Sequence, residues 1–292
     1  MPLYRAPVKD TLFVLEAVAG LYKHGNVPGF ESVSPDLVEA VLNEGGKFCS
    51  EVLAPLNLSG DRQGCTRHGD GSVTTPDGFR EAYKAFCDGG WGGLIADPHH
   101  GGQGLPYIIG AVMQEYIAAS NMAFGMYPGL SEGAQAAIEV VGSPEQKAKW
   151  LPPMVEGRWT GTMNLTEPHC GTDLGLIRTR AEPAADGSWR ITGTKIFISA
   201  GEHDLSENIV HLVLAKTPGA PDSVKGISLF IVPKFFVKDD GSLGARNAVS
   251  CGSIEHKMGI HANATCVMNY DGATGYMLGE EMKGLAAMFI MM

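Results

Sequence analysis

Close to Arg158 the hydrophobic period of the chain changes from that of helices to that of strands. A helical stripe and a pleated face bury apolar side chains in different geometries, so one layer type cannot serve both halves. Before the break, Thr11 to Tyr22 sets Leu12, Leu15, Val18, Ala19 and Tyr22 on one stripe. Ser34 and Pro35 read as an N-cap and first helical position, opening a segment to about Leu53. Asp77 to Phe86, Tyr107 to Ser120, Ser131 to Val141 and Pro144 to Met154 are further helix candidates, the last with Ser143 as its cap.

After the break, Thr160 to Thr166 alternates and Ile177 to Ala181 follows with a similar pattern. The turn Ala185-Asp186-Gly187 leads into Ser188 to Thr192, and Gly193 ahead of Lys195 to Ser199 reads as a short hairpin. Ile209 to Lys216, Ile227 to Val232 and Thr265 to Tyr270 are apolar, strand-forming runs between turns. Strands without intervening helices predict an antiparallel barrel or sandwich. From Gly279 the pattern is helical again, through Leu285, Ala286, Met288, Phe289 and Met292, with no cap to finish it. The expected fold class is therefore α+β: an N-terminal helical domain over residues 1–158, a middle β domain over 159–276, and residues 277–292 as the start of a truncated C-terminal helical bundle.

With 292 residues, 44% hydrophobic, the chain can bury about two cores. Its six cysteines are scattered without a CxxC, which suits reduced thiols in a cytoplasmic protein better than a disulfide framework. No apolar run reaches the roughly 18 residues a membrane span requires. A net charge of −10, with dispersed Lys and Arg, argues against nucleic acid as a partner. An anionic ligand would have to be held by local amides and a few basic side chains, against the overall field.

Several motifs compete. Gly129-Leu130-Ser131-Glu132-Gly133 matches the G-x-S-x-G elbow of serine hydrolases, and His100-Gly101-Gly102 resembles their oxyanion loop. The elbow needs a buried strand before the serine, whereas Tyr127-Pro128 stands there, so Ser131 reads more simply as a helix N-cap. A serine hydrolase built on Ser131 stays as the alternative of a different class. Gly102-Gln103-Gly104 lacks the third glycine of a dinucleotide fingerprint, and no Walker loop occurs. His99-His100, His169-Cys170 and His256 with His261 match no zinc spacing, so no metal is expected. The segment Met163 to Asp173 is a strand that stops at Pro168, then a tight turn with Gly171, flanked by the hydroxyls of Thr166 and Thr172. On residue chemistry alone a barrel-rim turn, with Asp173 making an Asx-type hydrogen bond, is the favoured reading.

That segment resembles the T-E-P turn followed by G-[ST]-D of the acyl-CoA dehydrogenase family. Lys195 to Gly201 is similar to the family's second flavin strand, Ile95 to Leu105 to its I-P-E-x-x-G-G-x-G-L stretch, and Gly142 to Pro152 to its G-[ST]-x-x-Q-K helix. Lys257-Met258-Gly259 and Leu278-Gly279-Glu280 fit the end of its middle domain. The added helix before about Phe30 resembles a longer branch that includes 3-methylthiopropionyl-CoA dehydrogenases.

The resemblance implies FAD wedged between two strands. Met163, Leu165 and Thr166 would lie along the isoalloxazine, and Gly171 and Thr172 near the flavin phosphate, with Thr172 also touching the CoA arm of the substrate. Phe197, Ile198 and Ser199 would line the other side, Ser199 near N5. It further implies α,β-dehydrogenation of an acyl-CoA, an electron-transfer flavoprotein as acceptor, and a homo-oligomer for the full-length protein. Acyl-CoA oxidases share the scaffold and form a second alternative. The family's base is a Glu of the C-terminal bundle, so no catalytic residue is expected here; Glu167 reads as a support for the turn, and Glu132 is not at the family's position. Phe197 stands where the family usually has Trp, and His169-Cys170 where Gly-Ala is common, with Cys170 read as an inert thiol.

Overall fold

The computed structural model describes residues 4–292. Helix α1 (Val8–Phe13) widens into a π-helical turn at Val14–Val18. Helix α2 (Pro35–Phe48) opens with Ser34 Oγ accepting from the Leu37 amide at 3.3 Å and Pro35 in the first turn. It runs through a π turn at Cys49–Leu53 into α3 (Ala54–Gln63), which Gly64 ends at φ 66°. A short ribbon, β1 (Thr66–Arg67) with β2 (Val73–Thr74), precedes α4 (Phe79–Asp88).

Helix α5 (Tyr107–Val141) breaks at Asn121, whose φ of −159° and ψ of 87° are not helical. Its two halves fold back on each other, so that Gln114 reaches Glu132 and a Cβ on Gly125 would come within 3.0 Å of Ile117. The Asn121 side chain holds the corner: Oδ1 accepts from the Phe124 amide at 3.1 Å and Nδ2 donates to the Leu53 carbonyl at 3.2 Å. The first half ends where the sequence places a helix end, but the second begins well before Ser131. Burial of Phe124 and Tyr127 explains this. Each such side chain contributes roughly 1.5–3 kcal/mol, enough together to offset the roughly 3 kcal/mol that an interior proline, Pro128, costs a helix. Helix α6 (Pro144–Val155) has a capping box in which Ser143 and Gln146 satisfy each other's amides at 3.2 and 3.0 Å.

The strands are β3 (Trp159–Asn164), β4 (Arg180–Pro183), β5 (Trp189–Ser199), β6 (Asn208–Lys216), β7 (Ile227–Pro233), β8 (Phe235–Val237), β9 (Leu243–Arg246), β10 (Val249–Ile254) and β11 (Thr265–Leu278); a short α7 (Gly284–Met288) follows. Seven of the strands form one sheet in the order β10-β11-β5-β4-β6-β3, and β7 pairs with both β11 and β6, closing the sheet on itself. Most pairings are antiparallel, as expected. The exceptions are β3, which runs parallel to β6 from Trp159↔Asn208 to Asn164↔Val213, and the single β4–β6 contact. β3 does not alternate either, because α5 covers it from outside and the sheet from inside.

Two further expectations are corrected. Gly193 makes no hairpin: β5 is continuous, and the reversal lies at Ala184 to Ser188. Gly193 is there because a Cβ would sit 2.4 Å from Thr179 Oγ1. The strand expected from Ile177 begins only at Arg180, after a 3-10 turn at Leu174–Leu176.

A helical core gathers Leu42, Phe79, Phe86, Tyr116 and Phe124. A second core sets Ala134 and Ile138 of α5, and Trp150 and Met154 of α6, against Leu212 and Ile231 of the sheet. The barrel interior, with Ile191, Val213, Phe230 and Met268, is the third. The last helices before the change of period thus pack on the sheet.

Candidate functional site

β3 ends at Asn164, and the chain beyond it crosses the start of the Lys195–Ser199 segment. The Thr166 carbonyl accepts from the Ile196 amide at 2.9 Å. A tight turn follows, in which Glu167 and Cys170 exchange both main-chain hydrogen bonds, at 2.8 and 3.0 Å, with Pro168 at the first corner.

Beneath the turn lies a buried ion pair. Glu167 is 3% exposed and Lys195 0%, with Nζ 2.8 Å from Oε1. Lys195 also donates to the Leu165 carbonyl at 3.0 Å. Glu167 further accepts from Thr179 Oγ1 at 2.6 Å and from the amides of Thr179 and Arg178 at 3.0 and 2.7 Å. Burial alone would raise the Glu167 carboxyl, but the Lys195 charge and these donors overcome it and hold it below the usual carboxylate range. For Lys195, burial pulls the ammonium down and the facing carboxylate opposes. The pair ties Leu165, the turn, Thr179 and β5 into one unit.

Opposite this unit, β5 bulges. Lys195 pairs with Met268 and Ile198 with Cys266, so Ile196 and Phe197 together face Val267. Phe197 takes φ 57° and turns its ring outward, half exposed, with the Lys257 ammonium 5.2 Å from the ring centre. The bulge returns Ile198 to the interior beside Cys266, so Ile198 offers only its main chain.

Of the residues expected to hold a flavin, Leu165 and Thr166 meet the 195–197 segment directly, and Gly171 packs on Thr166, where a Cβ would stand 3.2 Å from Cγ2. Ser199 lies further along, paired with Thr265, and Met163 lies along β3, packed against the second core. Gly171 and Thr172 are exposed; Met163, Leu165, Thr166 and Ser199 are half-buried. Among the described residues, the amides of Leu165, Thr166, Gly171 and Thr172 donate to no protein acceptor, and the hydroxyls of Thr166, Thr172 and Ser199 have no partner. Donors left open in this way suit a ligand rich in acceptors. Beside the turn a cavity of about 850 Å³ is lined by His169, Arg178, Arg180 and Lys216.

Sequence reasoning placed Glu167 under the turn but missed Lys195 as its partner. The available signal was a lysine inside the strand run Lys195 to Ser199, where a charge is expensive unless paired. It also missed Glu132, which accepts from Gln114 Nε2 in a groove between the halves of α5 and whose carboxyl burial pushes up to about 7. Ser131 is no N-cap. It is buried in mid-helix, donating to the Tyr127 carbonyl at 2.9 Å and accepting from the Gly161 amide at 3.0 Å, and no strand precedes it. Among the described residues no histidine hydrogen-bonds to it, so it has no nucleophile-elbow geometry. All six cysteines are free, and burial and the charge of Glu167 raise the Cys170 thiol.

Comparison with known proteins identifies the family and the fold. Residues 39–158 match the acyl-CoA dehydrogenase N-terminal domain and residues 162–273 the acyl-CoA dehydrogenase middle domain. The chain is 48% identical, over 99% of its length, to 49% of a 3-methylmercaptopropionyl-CoA dehydrogenase of Ruegeria pomeroyi. It is 40% identical, over 88% of its length, to 44% of a butyryl-CoA dehydrogenase of Syntrophomonas wolfei. The chain therefore spans about half the length of these curated relatives. An acyl-CoA dehydrogenase of Bacillus anthracis, solved in complex with FAD, shares the fold at a TM-score of 0.70 and 24% identity, covering 89% of this chain and 40% of that one. No helix of the described residues is long and apolar enough to cross a membrane. The chain belongs to the acyl-CoA dehydrogenase family.

Proposed function

We propose that this chain is the flavin-strand portion of an FAD-dependent dehydrogenase that introduces a double bond between the α and β carbons of an acyl-CoA. The observation that carries the reading is the crossing of Leu165–Thr166 with Ile196–Phe197, which leaves amides and hydroxyls open along one edge. FAD, when bound, supplies the hydride acceptor. Leu165, Thr166 and Ser199 would direct fixed donors at the ring, which stabilise a more electron-rich flavin without reorganisation. Gly171 and Thr172 would hold phosphate oxygens through open amides, Thr172 also meeting the CoA arm. Arg178 and Arg180 line the adjacent cavity without an ion-pair partner among the described residues and would offset the phosphate charge of an otherwise acidic chain. Phe197 would cover one face of the ring.

The proton on the α carbon needs a carboxylate base, and the two buried candidates here do not serve. Glu167 is neutralised by Lys195 and walled in by donors. Glu132 lies in the α5 groove, bonded to Gln114. We assign the base to no residue of this chain. Transfer of electrons to a flavoprotein acceptor, assembly into a homo-oligomer and residence in the cytoplasm belong to the same proposal. The test is the visible spectrum of the full-length protein, followed by anaerobic addition of a panel of acyl-CoAs. Bleaching of the flavin's visible band by one acyl class supports the reading and names the substrate. A colourless protein, or a flavin that no acyl-CoA bleaches, overturns it.

A further inference from the structure

We propose that Glu167, His169 and Cys170 form a three-ligand site for a zinc ion at the corner of the flavin-strand turn. One ligand atom of each residue lies within 4.8 Å of the others, and among the described residues no other group of three His, Cys, Asp or Glu side chains converges in this way. The convergence is built by the backbone. The paired hydrogen bonds between Glu167 and Cys170 set those side chains next to each other, and His169 occupies the corner between them. Linear spacing hides the site, because Glu-x-His-Cys is no zinc signature and the reversal of the chain is what gathers the donors.

Each donor is available. Glu167 carries Lys195 and Thr179 on Oε1, whereas Oε2 accepts only from the Arg178 amide, which leaves a lone pair. His169 Nε2 stands 3.9 Å from Oε2, and its bond to the Leu176 carbonyl, at 2.9 Å, is at a partly exposed ring that can rotate. The Cys170 thiol bonds to no other side chain or carbonyl among the described residues. Bonds of about 2.0–2.3 Å at tetrahedral angles place ligand atoms about 3.5 Å apart, so the three must draw in by about 1 Å. Oxygen, nitrogen and sulfur donors together select a borderline ion, and three protein ligands leave a fourth position for water. The Cys170 thiolate supplies one full negative charge beside a carboxylate shared with Lys195, and binding releases the thiol proton to solvent.

The proposal rests on this geometry and does not depend on the flavin reading. The 292-residue chain, reduced and free of metal, is titrated with Co²⁺ as a spectroscopic stand-in and then with Zn²⁺. The expected result is a sulfur-to-cobalt charge-transfer band in the near ultraviolet that saturates at one ion per chain and is abolished by Zn²⁺. Cys170→Ser should remove the band, and His169→Ala should weaken Co²⁺ binding at least tenfold. Absence of the band in the unsubstituted chain, or its persistence in Cys170→Ser, overturns the proposal. A measurement without substitutions guards against misfolded variants: saturating Zn²⁺ should slow iodoacetamide alkylation of Cys170 at least tenfold by peptide mass mapping. Equal alkylation with and without Zn²⁺ also overturns it.

Discussion

Lys195 and Glu167 show how much one residue pair can decide at this site. Removing one partner of a buried pair leaves an unmatched charge, at a cost of about 3–5 kcal/mol. Glu167→Gln and Lys195→Met should each lower stability by that order in urea melts, and the double variant by clearly less than the sum. Additive losses would show that the two side chains do not depend on each other. Glu132 gives a pH-dependent counterpart. Burial pushes its carboxyl up to about 7 from an ordinary value of 4.5, so the folded chain keeps a proton that the unfolded chain releases. Stability therefore falls as pH rises from the ordinary carboxyl value to about 7, and the full penalty is present above that. Glu132→Gln keeps an acceptor for Gln114, and should be near neutral at pH 4 and stabilising by about 1–2 kcal/mol at pH 8. An equal effect at both pH values would rule out titration of Glu132 as the cause.

Among the elements, α5 and β3 meet at a close joint. A Cβ on Gly161 would sit 2.4 Å from Ala134 Cβ, and Ser131 Oγ already holds the Gly161 amide there. Gly161→Ala should cost about 2 kcal/mol or more, because helix and strand must separate to admit one methyl group. Gly129, on the open side of the same helix with nothing within 4 Å, is the control. Gly129→Ala should stabilise by about 0.5–1 kcal/mol through helix propensity and a less flexible unfolded chain. Thermal melts of the two variants that move in the same direction would count against this packing. The joint also explains why a serine in a G-x-S-x-G pattern is structural here: its hydroxyl is spent on the backbone of a neighbouring strand.

For the molecule as a whole, the crossing of Thr166 with β5 presents its open donors at the surface, with Phe197 half exposed. One covered side makes half a cleft, and a cofactor held on one side only exchanges readily with solvent. We expect the 292-residue chain loaded with FAD to lose at least nine-tenths of it in gel filtration and to turn over no acyl-CoA with an artificial electron acceptor, while the full-length protein keeps its flavin. Retention of flavin by the short chain, or turnover, would refute this.

Sequence alone determined what local chemistry can write. The Ser34-Pro35 start of α2, the Ser143 cap of α6 and the change from helices to strands after Arg158 follow from residues within a few positions of each other. The segments that resemble the family's flavin strands could be picked out because their residues are contiguous. Tertiary structure alone decided the rest. Whether Gly193 turns the chain or lets Thr179 approach, whether Pro128 ends a helix or sits inside one, and which charge answers Glu167 all depend on partners distant in sequence. So does the parallel run of β3 beside β6, which neither strand announces. Propensity and pattern act at about 1 kcal/mol per residue. A buried aromatic ring or an unmatched buried charge is worth more than that, and only the folded chain specifies where those fall.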